Sequence, residues 1–263
     1  MADVYEKFKA DVMSLTKIDL SAYKEKQMRR RIDSLVTKRS CKDYEEYVAL
    51  LKKDKEVFEE FVNFLTINVS EFYRNPDQWE LMVKTYVPEL IERFGKRLKI
   101  WSAACSTGDE PYSLVMALSE LIDMRDIKII ATDIDKQVLA QAKTGLYNAK
   151  SIAGVPDKYK KKYFTKIGES YQISNEIKSH VEFREGNLLR DRYPDKCHMI
   201  VCRNVLIYFT EEAKHEVYKK FNDALVDDGI LFIGSTEQIM DYKSIGYKRR
   251  SSFYYQRDLS QKG

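Results

Sequence analysis

A doubly wound α/β domain preceded by a small all-helical domain is the architecture that this sequence of 263 residues predicts. Three observations carry the expectation. Before Pro76 the chain has neither Gly nor Pro, and its apolar residues recur at helical spacing. From about residue 98 short apolar runs alternate with helical segments, the pattern of a mostly parallel sheet. Those runs end in small, acidic or amide residues, and open α/β sheets bind ligands beyond the carboxyl ends of their strands.

In chain order, Val4, Phe8, Val12 and Leu15 mark a first helix. Asp19 or Ser21 is placed to cap a second, which gathers Met28, Ile32, Leu35 and Val36 on one face. That leaves Lys26, Arg29, Arg30 and Asp33 pointing elsewhere, with Arg31 on the flank. Asp43-Tyr44-Glu45-Glu46-Tyr47 opens a third helix, and Val57, Phe61, Phe64 and Leu65 define a fourth. Strands are then expected at 98–103, 127–133, 181–184, 199–202 and 230–234, with helices from Glu110 to about Ile122, from about Lys136 to Thr144 and over 211–225. Lys248 and Phe253–Gln256 close the chain in β-like alternation. Residues 148–180 fit no strand–helix–strand unit. With basic, aromatic Lys158–Tyr163 and strand-like Tyr171-Gln172-Ile173, they read as an insert forming a small antiparallel hairpin on the sheet edge. The Gln261-Lys262-Gly263 end is expected to fray. The domain division expected is 1–72 helical and 73–263 α/β, with the insert near 150–182.

Composition bounds the function. Hydrophobic residues make up 44%, charged residues 33% and aromatic residues 12%, which supports a packed core and excludes disorder as the main state. The run of apolar residues needed for a membrane span is absent, and the first residues lack the pattern of a secretory leader. Cys41, Cys105, Cys197 and Cys202 form neither a CxxC pair nor a dense framework, which agrees with a reducing cytoplasm. Cys197-His198-Met199-Ile200-Val201-Cys202 reads as a buried strand rather than a metal site, so no metal is expected. The net charge of +4 is low for a nucleic-acid binder. Charge is local instead: residues 24–42 hold eight basic against two acidic side chains and suit an anionic partner surface.

The candidate site lies at the strand ends. Ser102-Ala103-Ala104-Cys105-Ser106-Thr107-Gly108-Asp109-Glu110-Pro111 permits close backbone approach by a ligand, but it lacks GxGxxG, and two acids at the helix start repel a phosphate and suit a cation. Asp133, about 25 residues beyond the glycine turn, can accept both ribose hydroxyls. Asn187 in Gly186-Asn187-Leu188 and Asn204 in Arg203-Asn204-Val205 offer donor and acceptor to an adenine edge or an amino-acid group. The set binds a nucleoside without binding phosphate, and S-adenosylmethionine has that chemistry where NAD does not.

Four motifs, Thr66-Ile67-Asn68-Val69-Ser70-Glu71-Phe72-Tyr73-Arg74, Trp101–Ser113, Ala131-Thr132-Asp133-Ile134-Asp135 and Cys202-Arg203-Asn204-Val205-Leu206-Ile207-Tyr208-Phe209, resemble in residues and order the CheR family of chemotaxis receptor glutamate O-methyltransferases. The similarity spans nearly the whole chain, basic N-terminal helix included. It implies a Rossmann-like, S-adenosylmethionine-dependent methyltransferase sheet, a helical N-terminal domain and a small β insert. It also implies methyl transfer to glutamates on the cytoplasmic helices of chemoreceptors, which leaves S-adenosylhomocysteine. Carried over position by position, the cofactor contacts would be Asn68, Ser70, Arg74, Ala103, Glu110, Asp133, Asn187, Leu188, Asn204 and Val205. Ser70 stands where Thr is common and keeps the hydroxyl; Asp109 stands where Glu is common and keeps the charge. Arg74 and Tyr208 are the candidates for closest approach to the transferred methyl. Lys26, Arg29, Arg30 and Arg31 are those for docking on receptor helices. The insert's Thr165–Ile173 lacks the longer glycine-rich loop of members that tether to a receptor's C-terminal pentapeptide, so the tether-independent kind is expected. A cytoplasmic monomer associated with membrane receptor clusters, neither binding nucleic acid nor inserting in the membrane, completes the expectation. The alternatives are a methyltransferase acting on RNA or a small molecule, and a non-catalytic adaptor that binds S-adenosylmethionine.

Overall fold

The computed structural model describes residues 2–258, so the expected fraying at Gln261-Lys262-Gly263 lies outside the described residues. The chain divides into two compact units: one runs up to Asn68 and includes Tyr208–His215, and the other comprises Val69–Ile207 with the chain from Glu216 onward.

The first unit is built from α1 (Ala2–Thr16), α2 (Glu25–Lys38), α3 (Tyr44–Lys53) and α4 (Lys55–Thr66). Their core is Tyr5, Phe8, Val12, Ile32, Tyr47 and Phe61, with the rings of Phe8 and Tyr47 edge-on to Phe61. Tyr5 is buried where Val4 was expected to be, and Val4 is 53% exposed. A stripe through 5, 8 and 12 satisfies the helical repeat equally well, and Tyr5 gains ring contacts with Phe8 and Tyr44. The cap expected for α2 also lies elsewhere. Asp19 accepts from Ser21 N at 2.9 Å, but it caps a single 3-10 turn over Leu20–Ala22. α2 starts later, behind Lys24, which has no side-chain cap and whose backbone N donates to Tyr208 O at 2.9 Å. Asp43 and Asp54 do cap α3 and α4 through their carboxylates.

The second unit opens with α5 (Pro76–Leu81), a π-helical turn (Met82–Tyr86) and α6 (Val87–Phe94), a stretch with no counterpart among the expected elements. There follow β1 (Lys99–Ala103), α7 (Asp109–Leu118), β2 (Lys128–Asp133), α8 (Lys136–Thr144), β3 (Leu146–Asn148), α9 (Asp157–Tyr163), β4 (Phe164–Ile167), β5 (Ser170–Ile173), α10 (Asn175–Lys178) and β6 (Val181–Glu185). β7 (Cys197–Cys202), α11 (Glu211–Ala224), β8 (Leu225–Ile233), α12 (Tyr242–Ile245), β9 (Tyr247–Arg249) and β10 (Tyr254–Arg257) complete it. The main sheet runs β6-β2-β1-β7-β8-β10-β9. Its first five strands are parallel, and β10 and β9 join antiparallel, as the alternation of elements predicts. β1 is buried from Ile100 to Ala103, and β7 is buried except at His198, as strands covered on both faces are. From β1 the chain moves outward to β2 on one side, and it returns at β7 on the other. The crevice beyond the carboxyl ends of β1 and β7 is therefore the topological switch point.

The insert is not a hairpin on the edge of that sheet. It is a separate antiparallel sheet, β3-β5-β4, and the edge position of the main sheet belongs to β6. Aromatic packing explains the difference: Tyr147 of β3 and Phe164 of β4 sit edge-on to Phe72, and Tyr147 also faces Tyr112. The insert docks by its apolar face instead of extending the hydrogen-bond ladder. Lys158–Tyr163, the basic aromatic run, falls within α9.

Candidate active site

The turn after β1 is shaped by three left-handed residues, Ala104 (φ 59°), Ser106 (φ 48°) and Gly108 (φ 89°). Gly108 is required twice over, by its φ and because a Cβ would lie 2.9 Å from Ala142 Cβ. This turn aims Ser106 N at Asp133 Oδ2 (2.8 Å), while Asp135 N donates to Asp133 Oδ1 (3.0 Å). Asp133 ends β2, and burial pushes its carboxyl up to about 6 against the pull of those amides. Each of its oxygens keeps a lone pair for a ligand hydroxyl.

The two acids at the start of α7 divide their work. Asp109 is buried and accepts from Thr107 Oγ1 at 2.6 Å and from the Ser70 hydroxyl, so it braces the turn. Glu110 stays partly accessible and accepts from Ser102 Oγ at 2.8 Å. Burial pushes Glu110 up to about 7, although the nearby charges of Arg203 and Arg74 hold it down.

Beyond β7, Arg203 is buried near the Glu110 charge, and its Nη2 donates to Arg74 O (2.6 Å), Asn75 Oδ1 (3.1 Å) and Gln78 Oε1 (3.2 Å). Its guanidinium lies 4.7 Å from the Phe232 ring centre, a cation–π contact. Arg203 thereby ties the segment carrying Arg74 to the strand end carrying Asn204. Arg74 itself is partly exposed, in a long ion pair with Glu71 (3.7 Å). Asn204 (φ 60°) donates from Nδ2 to Thr236 Oγ1 at 3.1 Å, while its Oδ1 is shielded from solvent and has no protein donor. At the end of β6, Asn187 Oδ1 accepts from Leu189 N (2.9 Å) and shapes the turn around buried Leu188. Gly186 N donates to Asp133 O (2.9 Å) and joins this strand end to that of β2. A cavity of about 220 Å3 opens beside it, lined by Trp101, Thr132, Gly186, Asn187, Leu188 and Tyr193.

Of the expected site residues, Ala103, Asp133, Asn187, Leu188, Asn204 and Val205 thus lie at or just beyond four adjacent strand ends, with Glu110, Ser70 and Arg74 in the same unit. Asn68 and Tyr208 belong to the helical unit. There Asn68 Nδ2 donates to Thr66 Oγ1 (2.9 Å), and Tyr208 ends a 3-10 turn over Leu206–Tyr208. Among the docking candidates Lys26 and Arg30 are exposed. Arg29 lies over the Tyr5 ring at 4.9 Å, and Arg31 donates to Phe64 O over the Phe64 ring. Lys38 and Arg39 pair with Glu60, so the basic stretch is less free than its composition suggests. The expectations did not include Arg203 as a brace, nor Glu237, whose carboxylate accepts from four backbone amides. An acid three residues past a strand-ending glycine was the available signal.

The donor set fits S-adenosylmethionine. Asn204 has a shielded acceptor able to take an N–H, Asp133 can accept hydroxyls, and the left-handed turn at 104–108 leads into a helix whose first turn is acidic. His180 and His198 stand at the amino ends of β6 and β7, opposite the crevice, where His198 Nδ1 accepts from Lys99 N (2.8 Å). Among the described residues no group of three or more His, Cys, Asp or Glu is placed to hold a metal ion.

Comparison with known proteins agrees with this chemistry. The family model described as CheR methyltransferase, SAM binding domain, matches residues 68–253, and that described as CheR methyltransferase, all-alpha domain, matches 3–66. A protein of Listeria innocua named chemotaxis protein methyltransferase is 40% identical over 238 residues, covering 90% of this chain and 91% of its own. One of the same name from Borreliella burgdorferi is 32% identical over 243 residues (88% and 86%). Chemotaxis protein methyltransferase 2 of Vibrio cholerae is 33% identical over 242 (88% and 83%). With both halves of the chain matched in order and relatives aligned nearly end to end, the chain belongs to the CheR family of S-adenosylmethionine-dependent methyltransferases.

Proposed function

We propose that this enzyme methylates glutamate side chains on the cytoplasmic helices of chemotaxis receptors, acting in the cytoplasm at receptor clusters. The observation that carries the reading is the switch-point crevice. Asp133, whose carboxyl can accept two hydroxyls, Glu110, whose charge suits a cation, and the unpartnered Asn204 Oδ1 support the reading, and His198 stands at the opposite end of the sheet.

Bound S-adenosylmethionine supplies an electrophilic methyl carbon on a sulfonium. Asp133 would hold the ribose hydroxyls. Asn187, Leu188, Asn204 and Val205 would take the adenine and amino-acid edges, and Ala103 would allow close backbone approach. Ser70, Glu110 and Arg74 would complete the pocket. A general base is unnecessary, because a glutamate with a pKa of about 4.3 is already ionised near neutrality. Arg74 is suited to pair with a carboxylate, and Tyr208 to present its hydroxyl or ring at the reacting centre. Transfer would turn anion and cation into neutral ester and thioether, and the buried setting of Asp133 and Arg203 would favour such loss of charge. Alignment would supply the largest share, about 7–11 kcal/mol in well-oriented systems.

The helical domain, 1–72, would dock the receptor, and 73–263 would carry out transfer. A tether-independent mode is supported by the insert: Ile167 pairs with Ser170, so only Gly168-Glu169 turns β4 into β5. Receptor membranes incubated with enzyme and methyl-labelled S-adenosylmethionine should release volatile methanol in alkali, at the same rate with or without the receptor's C-terminal pentapeptide. Alkali-stable label, or cofactor binding without labelled receptor, would instead indicate another acceptor or a non-catalytic role.

A further inference from the structure

We infer that Glu237 is the positioning residue for the cofactor loop after β7. Glu237 is 7% exposed, and its carboxylate accepts four backbone N–H bonds. Oε2 takes Asn204 N (2.8 Å) and Gly234 N (2.7 Å), and Oε1 takes Val205 N (3.1 Å) and Leu206 N (2.8 Å). Three successive amides converge on one anion because Asn204 is left-handed, the geometry of an anion-binding nest filled here by the chain's own side chain. Gly234 makes the approach possible, since a Cβ there would lie 2.6 Å from Asn204 N and 2.7 Å from Glu237 Oε2. The neighbouring Thr236 takes the Asn204 amide hydrogen at 3.1 Å, which leaves Asn204 Oδ1 as the atom offered to a ligand. One short segment, Gly234–Glu237, therefore sets both the backbone of the loop and the orientation of its amide before cofactor arrives.

Only a carboxylate serves all four donors. A glutamine can satisfy two with its oxygen, but it turns an NH2 toward the other two. The inference rests on the reading of Asn204 and Val205 as cofactor contacts.

The test compares Glu237→Gln, Asn204→Ala and Tyr247→Phe in the full-length enzyme by steady-state kinetics and thermal melting. Tyr247→Phe removes a buried hydroxyl bond to Tyr218 O (2.9 Å) at the far edge of the sheet, and it reports a purely structural loss. Glu237→Gln should raise KM for S-adenosylmethionine at least tenfold and leave KM for receptor within twofold. Tyr247→Phe should lower the melting temperature without moving either KM. An unchanged cofactor KM in Glu237→Gln, with a raised one in Asn204→Ala, overturns the positioning role alone. Unchanged values in both overturn the site reading beneath it. Should Glu237→Gln not fold, hydrogen exchange in the unmodified, ligand-free enzyme decides. Slow amides at 204–206 support the brace, and exchange at open-loop rates overturns it.

Discussion

Asp133 combines two demands that conflict in water. In the proposed role it accepts two ribose hydroxyls best as the anion, yet burial favours its neutral form and carries the carboxyl from 3.8 to about 6. Since the folded pKa exceeds the unfolded one, the ligand-free fold binds the proton more tightly. The contribution of Asp133 to stability is then complete below pH 3.8 and lost as pH rises toward about 6. Ligand binding has the opposite preference, for the anion. The rise in melting temperature produced by S-adenosylhomocysteine should therefore grow between pH 5 and pH 7.5. In Asp133→Asn the shift should be smaller throughout, in line with loss of charge-assisted hydrogen bonds worth about 1.5–3 kcal/mol. The growth that remains should be confined to the upper part of the range, where Glu110, raised to about 7, titrates. A variant whose pH dependence matches that of the parent would show that another group governs binding.

At the scale of the element, the turn from β1 into α7 has little freedom. Three left-handed residues in five positions hold Ser106 N against Asp133, and Gly108 serves as the N-cap of α7 without any side chain. Gly108→Ala places a Cβ at positive φ, costing about 1–2 kcal/mol, and adds a contact of 2.9 Å with Ala142. The variant should melt several degrees lower and bind S-adenosylhomocysteine less tightly in a calorimetric titration; retention of both would mean that α8 yields without effect on the site. This element was readable from the chain because its signals are local: small residues after an apolar strand, then Gly and acids. The strand-end positions of Asp133, Asn187 and Asn204 were readable for the same reason. The starts of helices were less so. Asp19 has capping chemistry, but the chain makes a 3-10 turn there, and α2 begins behind Lys24, whose backbone N bonds to Tyr208 O, distant in sequence. Glu237 and Arg203 stayed hidden on the same ground. The partners that give Glu237 its role lie up to 33 residues away, and those of Arg203 up to 129. Only tertiary closure brings them together.

For the molecule as a whole, the proposed assignment of receptor docking to the helical unit and of transfer to the α/β unit can be resolved by kinetics. The net charge of +4 is small, and the basic stretch at 24–42 is thinned by internal pairing: Lys38 and Arg39 are occupied by Glu60, and Arg31 by Phe64 O. What the helical unit presents to solvent from the docking set is Lys26 and Arg30, with Arg29 partly accessible against Tyr5. Exposed charges of this kind act over about a Debye length, 8 Å at physiological salt, and govern encounter more than the chemical step. A receptor helix bearing unmodified glutamates is anionic and loses charge with each methyl it receives, so attraction should weaken as modification proceeds. Lys26→Glu combined with Arg30→Glu should therefore raise KM for receptor at least tenfold at low salt, while KM for S-adenosylmethionine and turnover at saturating receptor stay near those of the parent. Added salt should raise the parent's receptor KM toward that of the double variant. Equal receptor KM for the two proteins at low ionic strength would place docking on another surface, because a direct charge contact must then be strongest.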